Sequence, residues 1–436
     1  MDNFSGKKIL FLGATPETIP LVKTAKECGL ITYVADHVEN SPAKVYADYP
    51  VLENCFEVEK MCEIVNTQKI DGVLIGCADI LVPVYQQVCE ITNKYCYVTK
   101  QQVDVFGNKK GLKNKLVEYG LPVIPEYKLD KSFFVEDLKN IIYPVFVKPV
   151  DNNSSKGMSI CSNEEELRIA FAKALSFSRS QNVLVEKYMI SDDFYVEYLF
   201  ENGNIHVISI GDRYVTRQPG VGTITAAFIY PSKYADLYFA TTHEKICKLF
   251  HGIKMSNGTL VLQGFIEDGK IMFYDPGLRI NGGQDYFLIK HTNNFDLLRS
   301  LVNFSITGQM LSPEENVNLW QLNGNRASNL VFSVKTGKIG KIEGIEEAKL
   351  KKNVINVTQE HKTGDVISLY GTGQQILSRM HLVAGSLEEL LDTIRLIQNN
   401  VKVYDESGND ILLPGFDLNK YYQESKDVFY GRKNFV

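Results

Sequence analysis

Two alternating apolar runs within residues 258–279 constrain the fold and function of this chain more than any other segment does. They are joined by Glu267-Asp268-Gly269, a strong turn signal, so the segment is expected to form a β-hairpin. Gln263 and Asp275 stand on opposite strands of that hairpin, where two oxygen ligands can share a hard cation. Arg279 follows closely and is placed to hold an anion beside the metal. Such a site suits the chemistry of a magnesium nucleotide.

Length and composition narrow the class of protein. At 436 residues the chain exceeds the usual size of one core, which predicts two or three domains. The net charge of −5 gives no basic field for nucleic acid. No apolar run approaches the ~20 residues of a membrane span, and no secretory signal is evident, so no membrane partner is expected. All eight cysteines precede residue 248 without a C-x-x-C pair, which favours reduced thiols and a cytoplasmic location.

Strand and helix signals alternate over roughly the first hundred residues. The apolar run from Lys7 to Gly13 is followed by helix-start signals, and residues 30–36 and 72–77 are typical of further strands. This order predicts a doubly wound parallel sheet, with Asp79 facing a crevice at the carboxyl ends of its strands. The dinucleotide fingerprint lacks its second and third glycines. An NAD-linked enzyme is therefore only a third hypothesis, which predicts cofactor binding that survives truncation after residue 106.

The rest of the chain changes pattern twice. An amphipathic helix from Lys109 to Tyr119 opens a region that is expected to be α+β, with a strand from Asn204 to Ile210. After about residue 311, short strands are separated by glycines. A last helix, at about Leu387 to Gln398, carries a capping-box signal in which Ser386 is followed by Glu389.

Several features of the middle region are candidates for nucleotide contacts. Lys148 ends an apolar strand, where its burial is costly unless the ammonium meets an anion; a lysine that reaches water is the alternative. In the polar loop 151–157, backbone amides and hydroxyls can cradle a polyphosphate, with Lys156 supplying charge. Glu186-Lys187-Tyr188 can meet a purine edge. Asp193 can accept hydrogen bonds from ribose hydroxyls, although taken alone it is better explained as a turn residue.

In this order, the parts resemble the ATP-grasp superfamily, in the branch of carboxylate-amine ligases, carbamoyl-phosphate synthase and biotin carboxylase. The resemblance covers essentially the whole length and implies an α/β and α+β multidomain protein. A Rossmann-like domain is expected at 1–106. An ATP-grasp domain follows at 107–310, with a lid subdomain at about 144–200. A strand-rich C-terminal domain is expected at 311–436.

The resemblance also assigns roles. It implies ATP contacts from the phosphate-binding residues and lid, the adenine-binding strand end and the ribose-binding carboxylate: Lys109, Lys148, Ser154, Ser155, Gly157, Glu186, Lys187, Tyr188 and Asp193. It implies one or two Mg²⁺ at Gln263 and Asp275, with a Gln at the first position similar to carbamoyl-phosphate synthase. Arg279 and Lys156 would supply catalytic positive charge. Arg213 and Arg217, after the strand from Asn204 to Ile210, are candidates for holding the acid's carboxylate or the triphosphate.

One departure from the family affects the metal site. The usual Glu-x-Asn-x-Arg is Asp275-Pro-Gly-Leu-Arg279 here, so the first ligand is shorter and Gly277 supplies none. The site is therefore expected either to be active with an altered second metal or to bind ATP without turnover. A large gain of turnover on Gly277→Asn would favour the second hypothesis. The phosphate loop lacks a glycine-rich run and no biotin-carrying segment follows, which counts against a biotin-dependent carboxylase.

The implied activity is that of an ATP-dependent carbon–nitrogen ligase. It activates a small carboxylic acid as an acyl-phosphate and joins it to an amine, releasing ADP and phosphate. The alternative is a nucleotide-binding protein with a degenerate metal site and little catalysis. The resemblance implies small-molecule partners and a homodimer; the identities of the acid and the amine do not follow from the sequence.

Overall fold

The computed structural model describes residues 4–107, 109–150, 157–178, 180–218, 222–315, 317–369 and 373–423. The chain forms two compact units, one comprising Met1–Ile210 with Lys233–Trp320, the other Gly211–Ser232 with Gln321–Val436. No helix among the described residues is long and apolar enough to cross a membrane. The division into domains ending at residues 106 and 310 stays a prediction.

The first unit begins with the parallel sheet that the sequence predicts. Its four strands have the order Tyr49–Val51, Ile31–Ala35, Lys8–Leu12, Gly72–Ile75. The intervening helices are Ile19–Glu27, Val58–Thr67 and Val82–Thr92. Thr15 makes no side-chain capping bond, because a 3₁₀ turn, Pro16–Thr18, precedes the first helix.

A helix from much later in the chain, Leu297–Thr307, packs on this sheet. It contacts the strand Gly72–Ile75 and the helix Ile19–Glu27. Gly72 allows the close approach, since a Cβ at this position would lie 2.5 Å from the carbonyl oxygen of Ser305. A larger residue at position 72 would push the helix off the sheet.

The middle of the first unit contains a small antiparallel sheet. Its strands have the order Glu126–Tyr127, Val183–Lys187, Val145–Pro149, Ser159–Cys161. The helix Glu164–Phe177 packs on this sheet and buries Leu167, Phe171 and Ala174 against it. Three further helices of the region are Lys100–Phe106, Lys109–Glu118 and Val135–Lys139.

The predicted hairpin is the edge of another antiparallel sheet in the first unit. Its strands are ordered Lys270–Gly277, Gly258–Glu267, Asp192–Glu201, followed by the start of Asn204–Gln218. Helices Ala235–Thr241, His243–Gly252 and Tyr286–Asn293 complete the unit. The hairpin is confirmed, but its apolar runs are not buried alternately, since 258–262 and 271–273 are buried on both faces.

The second unit is strand-rich, as the sequence predicts. The end of Asn204–Gln218 is followed across its main sheet by Gly222–Tyr230, Arg326–Ser333, Ile376–Ala384 and Val354–Gln359. A second sheet has the order Val366–Ile367, Gly337–Glu343, Lys402–Asp405. The helices are Ile345–Lys349 and Leu387–Asn400, and Ser386 accepts the predicted capping bond from the Glu389 amide.

The prediction of a strand that stops at Ile210 is wrong. The strand Asn204–Gln218 continues and pairs with Gly222–Tyr230, so Arg213 lies within a strand rather than in a loop after it. Gly211 and Asp212 interrupt the apolar alternation, which hides the continuation from a pattern-based prediction.

Candidate functional site

The two predicted metal ligands face each other across the hairpin. Gln263 is the register partner of Asp275, immediately before a bulge that shifts the pairing. The Tyr274 hydroxyl lies 3.3 Å from Gln263 Oε1 and 3.3 Å from Asp193 Oδ1. One hydroxyl proton can serve only one of these acceptors at a time. The hairpin therefore presents an amide oxygen and a carboxylate side by side.

A lysine from another element completes this edge of the site. Lys109, the first residue of the helix Lys109–Glu118, lies with its Nζ 3.8 Å from Asp275 Oδ1. Burial lowers the pKa of Lys109, and Asp275 opposes that shift. Desolvation likewise raises the pKa of Asp275, although 47% of this side chain is open to a ligand. A half-buried cation and a reachable carboxylate thus stand together.

Lys148 is buried and paired, so the alternative of a lysine that reaches water is wrong. Its Nζ lies 2.6 Å from Glu186 Oε2, and Lys113 Nζ lies 2.9 Å from Glu186 Oε1. Lys113 also pairs with Glu126 at 3.0 Å. Desolvation acts to raise the pKa of Glu186, but the two lysines outweigh it and hold the pKa below its usual range. Sequence analysis missed Lys113, which lies one helical turn after Lys109.

The predicted purine-contacting strand end is already engaged through its amides. Lys187 N–H donates to Pro125 O at 3.0 Å and Tyr188 N–H donates to Pro144 O at 3.0 Å. Asp193 is buried within the strand Asp192–Glu201, so its interpretation as a turn residue is wrong. Glu186 serves as a counter-ion of lysines, and a role against adenine would have to share its oxygens with them.

A small apolar cluster lies in the same unit. Ile124, Met189 and Met272 are buried together, and Phe265 and Tyr274 pack against them. The two aromatic rings are stacked with centroids 4.4 Å apart. Met189 directly follows the Lys187-Tyr188 strand end, and Tyr274 reaches Asp193. An apolar wall therefore adjoins polar groups that the sequence assigns to a base and a ribose.

Arg279 is held on several sides. Its Nη2 donates to Asp79 Oδ2 at 2.7 Å and its Nη1 donates to Ile280 O at 3.0 Å. The guanidinium lies over Gly277, where a Cβ would be 2.9 Å from its Cζ. Gly277 therefore makes room for this arginine. The predicted crevice residue Asp79 is brought to the predicted anion-binding residue.

Glu197 is a fully buried carboxylate that is influenced by the charge of Arg279. Neither oxygen of Glu197 makes a hydrogen bond of ordinary length and angle within the described residues. Burial raises the pKa of Glu197 to about 7, and nearby Asn281 and Arg279 limit the shift. Asn281 is itself fixed, since its Nδ2 donates to Asp285 at 3.0 Å and Asp285 also accepts the Tyr195 hydroxyl.

The structure does not bring all of the remaining predicted residues to the groups around Asp275 and Arg279. Ser154, Ser155 and Lys156 lie outside the described residues, whereas Gly157 has a positive φ of 76° and lies beside Phe177.

The two candidate substrate arginines belong to the second unit. Arg213 Nε donates to Thr225 Oγ1 at 2.9 Å, and the backbone of Arg217 pairs with Thr223. The side chain of Arg217 lies outside the described part of the chain. Their role toward a substrate stays a prediction.

Comparison with known proteins agrees with this architecture. Residues 116–245 match the family described as D-ala D-ala ligase C-terminus. The solved L-amino acid ligase from Bacillus licheniformis superposes with a TM-score of 0.73 over 92% of this chain and 99% of that one, at 19% identity. The matched segment resembles the ATP-grasp domain of these ligases. The predicted resemblance and fold class are confirmed.

Two further similarities fall in the predicted branch of the ATP-grasp proteins. The large chain of carbamoyl phosphate synthase from Clostridium beijerinckii is 23% identical over 251 residues, which is 52% of this chain and 22% of the synthase. A biotin carboxylase domain from Hydrogenobacter thermophilus gives a TM-score of 0.73 at 16% identity, covering 91% of each chain. The chain thus spans about a fifth of that synthase, and at these identities the solved structures establish its fold.

Proposed function

We propose that the protein is an ATP-dependent ligase that converts a small carboxylic acid to an acyl-phosphate and joins it to an amine. The observation that carries this proposal is the convergence of Lys109, Lys148, Asp275 and Arg279 on one region of the first unit. The charges of Asp275 and Lys148 act on the pKa of Lys109. The charges of Lys148 and Arg279 likewise act on the pKa of Asp275. Three cations around a carboxylate suit a polyphosphate that arrives with a metal.

The nucleotide base is assigned to the apolar cluster. Ile124, Met189 and Met272 offer an apolar surface of the kind that lines ligand sites, and Asp193 lies beside it for a ribose. Carbonyl oxygens of Lys187 and Tyr188 are the groups that we assign to the purine edge, because their amides already donate elsewhere. ATP would then extend from this cluster toward Lys148 and Lys109.

The hairpin ligands fit Mg²⁺. The ion prefers oxygen donors and is held in nucleotide sites by one or two protein ligands together with phosphates and water. Gln263 and Asp275 supply one neutral and one anionic oxygen donor from paired positions. When bound, Mg²⁺ neutralises phosphate charge and favours phosphoryl transfer. No cluster of three His, Cys, Asp or Glu suited to a metal occurs in the described residues, so phosphates would complete the coordination.

The chain's own residues account for the rest of the reaction. The acid's carboxylate oxygen attacks the γ-phosphorus, the bond to the bridging oxygen breaks, and ADP leaves. Lys109, Lys148 and Arg279 hold the phosphates and stabilise the charge that spreads over the transferring group. The amine nitrogen then attacks the acyl carbon, phosphate leaves, and the amine loses a proton. No nucleophilic side chain is required.

The relatives support this class of chemistry. The matching family is a D-ala D-ala ligase domain, and a solved neighbour is an L-amino acid ligase. The Hydrogenobacter domain is described as a dimer in complex with MgADP and bicarbonate. We extend to this chain the use of ATP and Mg²⁺, small-molecule substrates and, following that neighbour, a homodimer.

Turnover with pooled substrates tests the proposal. The full chain, incubated with Mg-ATP and pools of small acids and amines, is expected to release ADP and phosphate and to form a product of condensation mass. Asp275→Asn should lower the rate by about a hundredfold or more, since several kcal/mol of metal-assisted charge stabilisation are lost. ATP consumption without a condensation product in any pool, or undiminished turnover in Asp275→Asn, would contradict the proposal.

The alternative, a nucleotide-binding protein without turnover, rests on Gly277 in place of the family's Asn. The position of Arg279 argues against repairing the site by that substitution. Asn at position 277 would place its Cβ 2.9 Å from Arg279 Cζ and displace the guanidinium. We therefore expect Gly277→Asn to lower turnover by about tenfold to a hundredfold, as a misplaced catalytic group does. Gly373→Asn, at an open position without a positive φ, is the matched control, and a large gain of turnover in Gly277→Asn would favour the alternative.

A further inference from the structure

The Asp79–Arg279 ion pair joins residues that are 200 positions apart in the sequence. Asp79 begins the short turn Asp79–Leu81 after the parallel strand Gly72–Ile75, and Arg279 follows the hairpin. The two partners differ in exposure, since 17% of the Arg279 side chain is exposed against 48% of Asp79. A ligand can therefore approach the pair from the side of Asp79.

Arg279 is fixed independently of Asp79. It donates to Ile280 O, lies over Gly277, and has the Glu197 carboxylate as an electrostatic neighbour from within the protein. Its Nε is buried without a hydrogen-bond partner among the described residues. Removal of Asp79 therefore leaves the guanidinium in place with another anion near it. A ligand carboxylate can therefore take the place of Asp79 as the ion-pair partner of Arg279.

A simple acid and an amino acid would meet this pair differently. The carboxylate of either ligand can replace Asp79 on Arg279, because it offers the same two oxygens. With a simple acid, two carboxylates would then lie side by side against one guanidinium, and like charges at such a distance are unfavourable. An amino acid brings an ammonium group close to its carboxylate, which can pair with the released Asp79.

We propose that Asp79 and Arg279 together recognise a zwitterion, so that the acid which the enzyme activates is an amino acid. The inference rests on the proposed ligase function and names its substrate class. Arg279 takes the carboxylate that is to be phosphorylated. Asp79 is the specificity-determining residue, since it pairs with the ammonium group and repels acids that lack one.

The test separates acid activation from the unidentified amine. Hydroxylamine replaces the amine and traps an acyl-phosphate as a hydroxamate, with release of phosphate. The full chain receives Mg-ATP, hydroxylamine and one acid at a time, in matched pairs such as alanine with propionate and aspartate with succinate. Wild-type protein is expected to favour the amino acid of a productive pair. Asp79→Asn should reduce that preference by about tenfold or more, since a hydrogen-bonded charge pair is lost.

Glu244→Gln is the control, because Glu244 forms an exposed helical ion pair with Lys248. It should leave the preference unchanged. Preference for the deaminated acids, or an equal loss of both acids in Asp79→Asn, would overturn the inference. The same acids are then tested for their ability to stabilise wild-type and Asp79→Asn protein against thermal unfolding, in the presence of Mg²⁺ and a non-hydrolysable ATP analogue.

The two measurements also distinguish the inference from the ligase proposal. Absence of hydroxamate from every acid, with amino-acid stabilisation that Asp79→Asn abolishes, would contradict the ligase and sustain the zwitterion site. If neither hydroxamate nor stabilisation by any amino acid is found, the zwitterion site is rejected as well.

Discussion

Replacing Arg279 with glutamine is expected to lower kcat by about 10²–10³-fold, the loss typical of removing a fixed donor that faces developing charge. The effect should be large because Arg279 is the ion-pair partner of Asp79, which would otherwise stand unpaired. Without the guanidinium the half-exposed Asp79 carboxylate would face an anionic substrate, so KM for the acid should rise as well. Steady-state kinetics with the acid varied at saturating Mg-ATP measure both effects.

Two variants make this result interpretable. Arg168→Gln removes an arginine from an exposed helical ion pair with Glu164 and should leave kcat and KM unchanged. Arg279→Lys keeps the charge but loses the planar fork, and is expected to recover only part of the activity. An unchanged kcat in Arg279→Gln would remove Arg279 from the catalytic machinery.

The second large effect concerns stability. Glu186→Ala is expected to lower the free energy of unfolding by about 3–5 kcal/mol, the usual result of removing one member of a buried pair. Lys148, almost fully buried, would lose its 2.6 Å partner, whereas Lys113 would still pair with Glu126. Urea unfolding measures the difference, and Lys187→Met, at the half-exposed pair with Glu267, is the control with a smaller expected loss. A change below that of the control would show that Lys148 finds another partner.

The contribution of Glu186 to the free energy of unfolding depends on pH in a direction that its pKa shift determines. The folded-state pKa of Glu186 is held below its usual range, so the unfolded chain binds the proton more tightly. Its stabilising contribution is complete above the unfolded pKa of about 4.3 and is lost as pH falls through the folded value. The difference in unfolding free energy between wild type and Glu186→Gln should therefore be constant at neutral pH and shrink in acid. A difference that grows in acid would contradict the assignment.

A double variant separates stability from nucleotide binding. Lys148→Met with Glu186→Met replaces the buried pair by apolar side chains of similar volume, an exchange that is often neutral or stabilising. Much of the stability lost in Glu186→Ala should return. ATP affinity should remain weak, because Lys148 is a proposed phosphate contact. Recovery of ATP affinity with stability would limit Lys148 to a structural role.

The local parts of this site could be predicted from the sequence. The hairpin follows from a turn signal and two apolar runs, but the turn alone would place Gln263 opposite Tyr274, and a bulge shifts its partner to Asp275. The cost of burying a charge indicated that Lys148 meets an anion. That the anion is Glu186 could not be predicted, because the register of the two strands is set by packing over a long connection.

Other features were hidden for different reasons. The continuation of the strand through Arg213 has charged and glycine residues that resemble a loop. Glu197 stands in the run Phe-Tyr-Val-Glu-Tyr-Leu-Phe, where burial of a charge is as costly as it is at Lys148. The pair of Asp79 with Arg279 spans 200 residues, and sequence analysis provided only a crevice residue and an anion-binding residue.

The packing of the helix Leu297–Thr307 on the N-terminal sheet has a consequence for biosynthesis. Nine of its eleven residues are buried, and it lies against a strand that left the peptidyl-transferase centre about 230 residues earlier. At ~5–20 residues per second, the sheet waits roughly 10–50 s for this covering helix. The first sheet to be synthesised is thus covered only after the strands of the other sheets of its unit have been made. A chain arrested before residue 297 would display an apolar face, a target for chaperones and a site of aggregation.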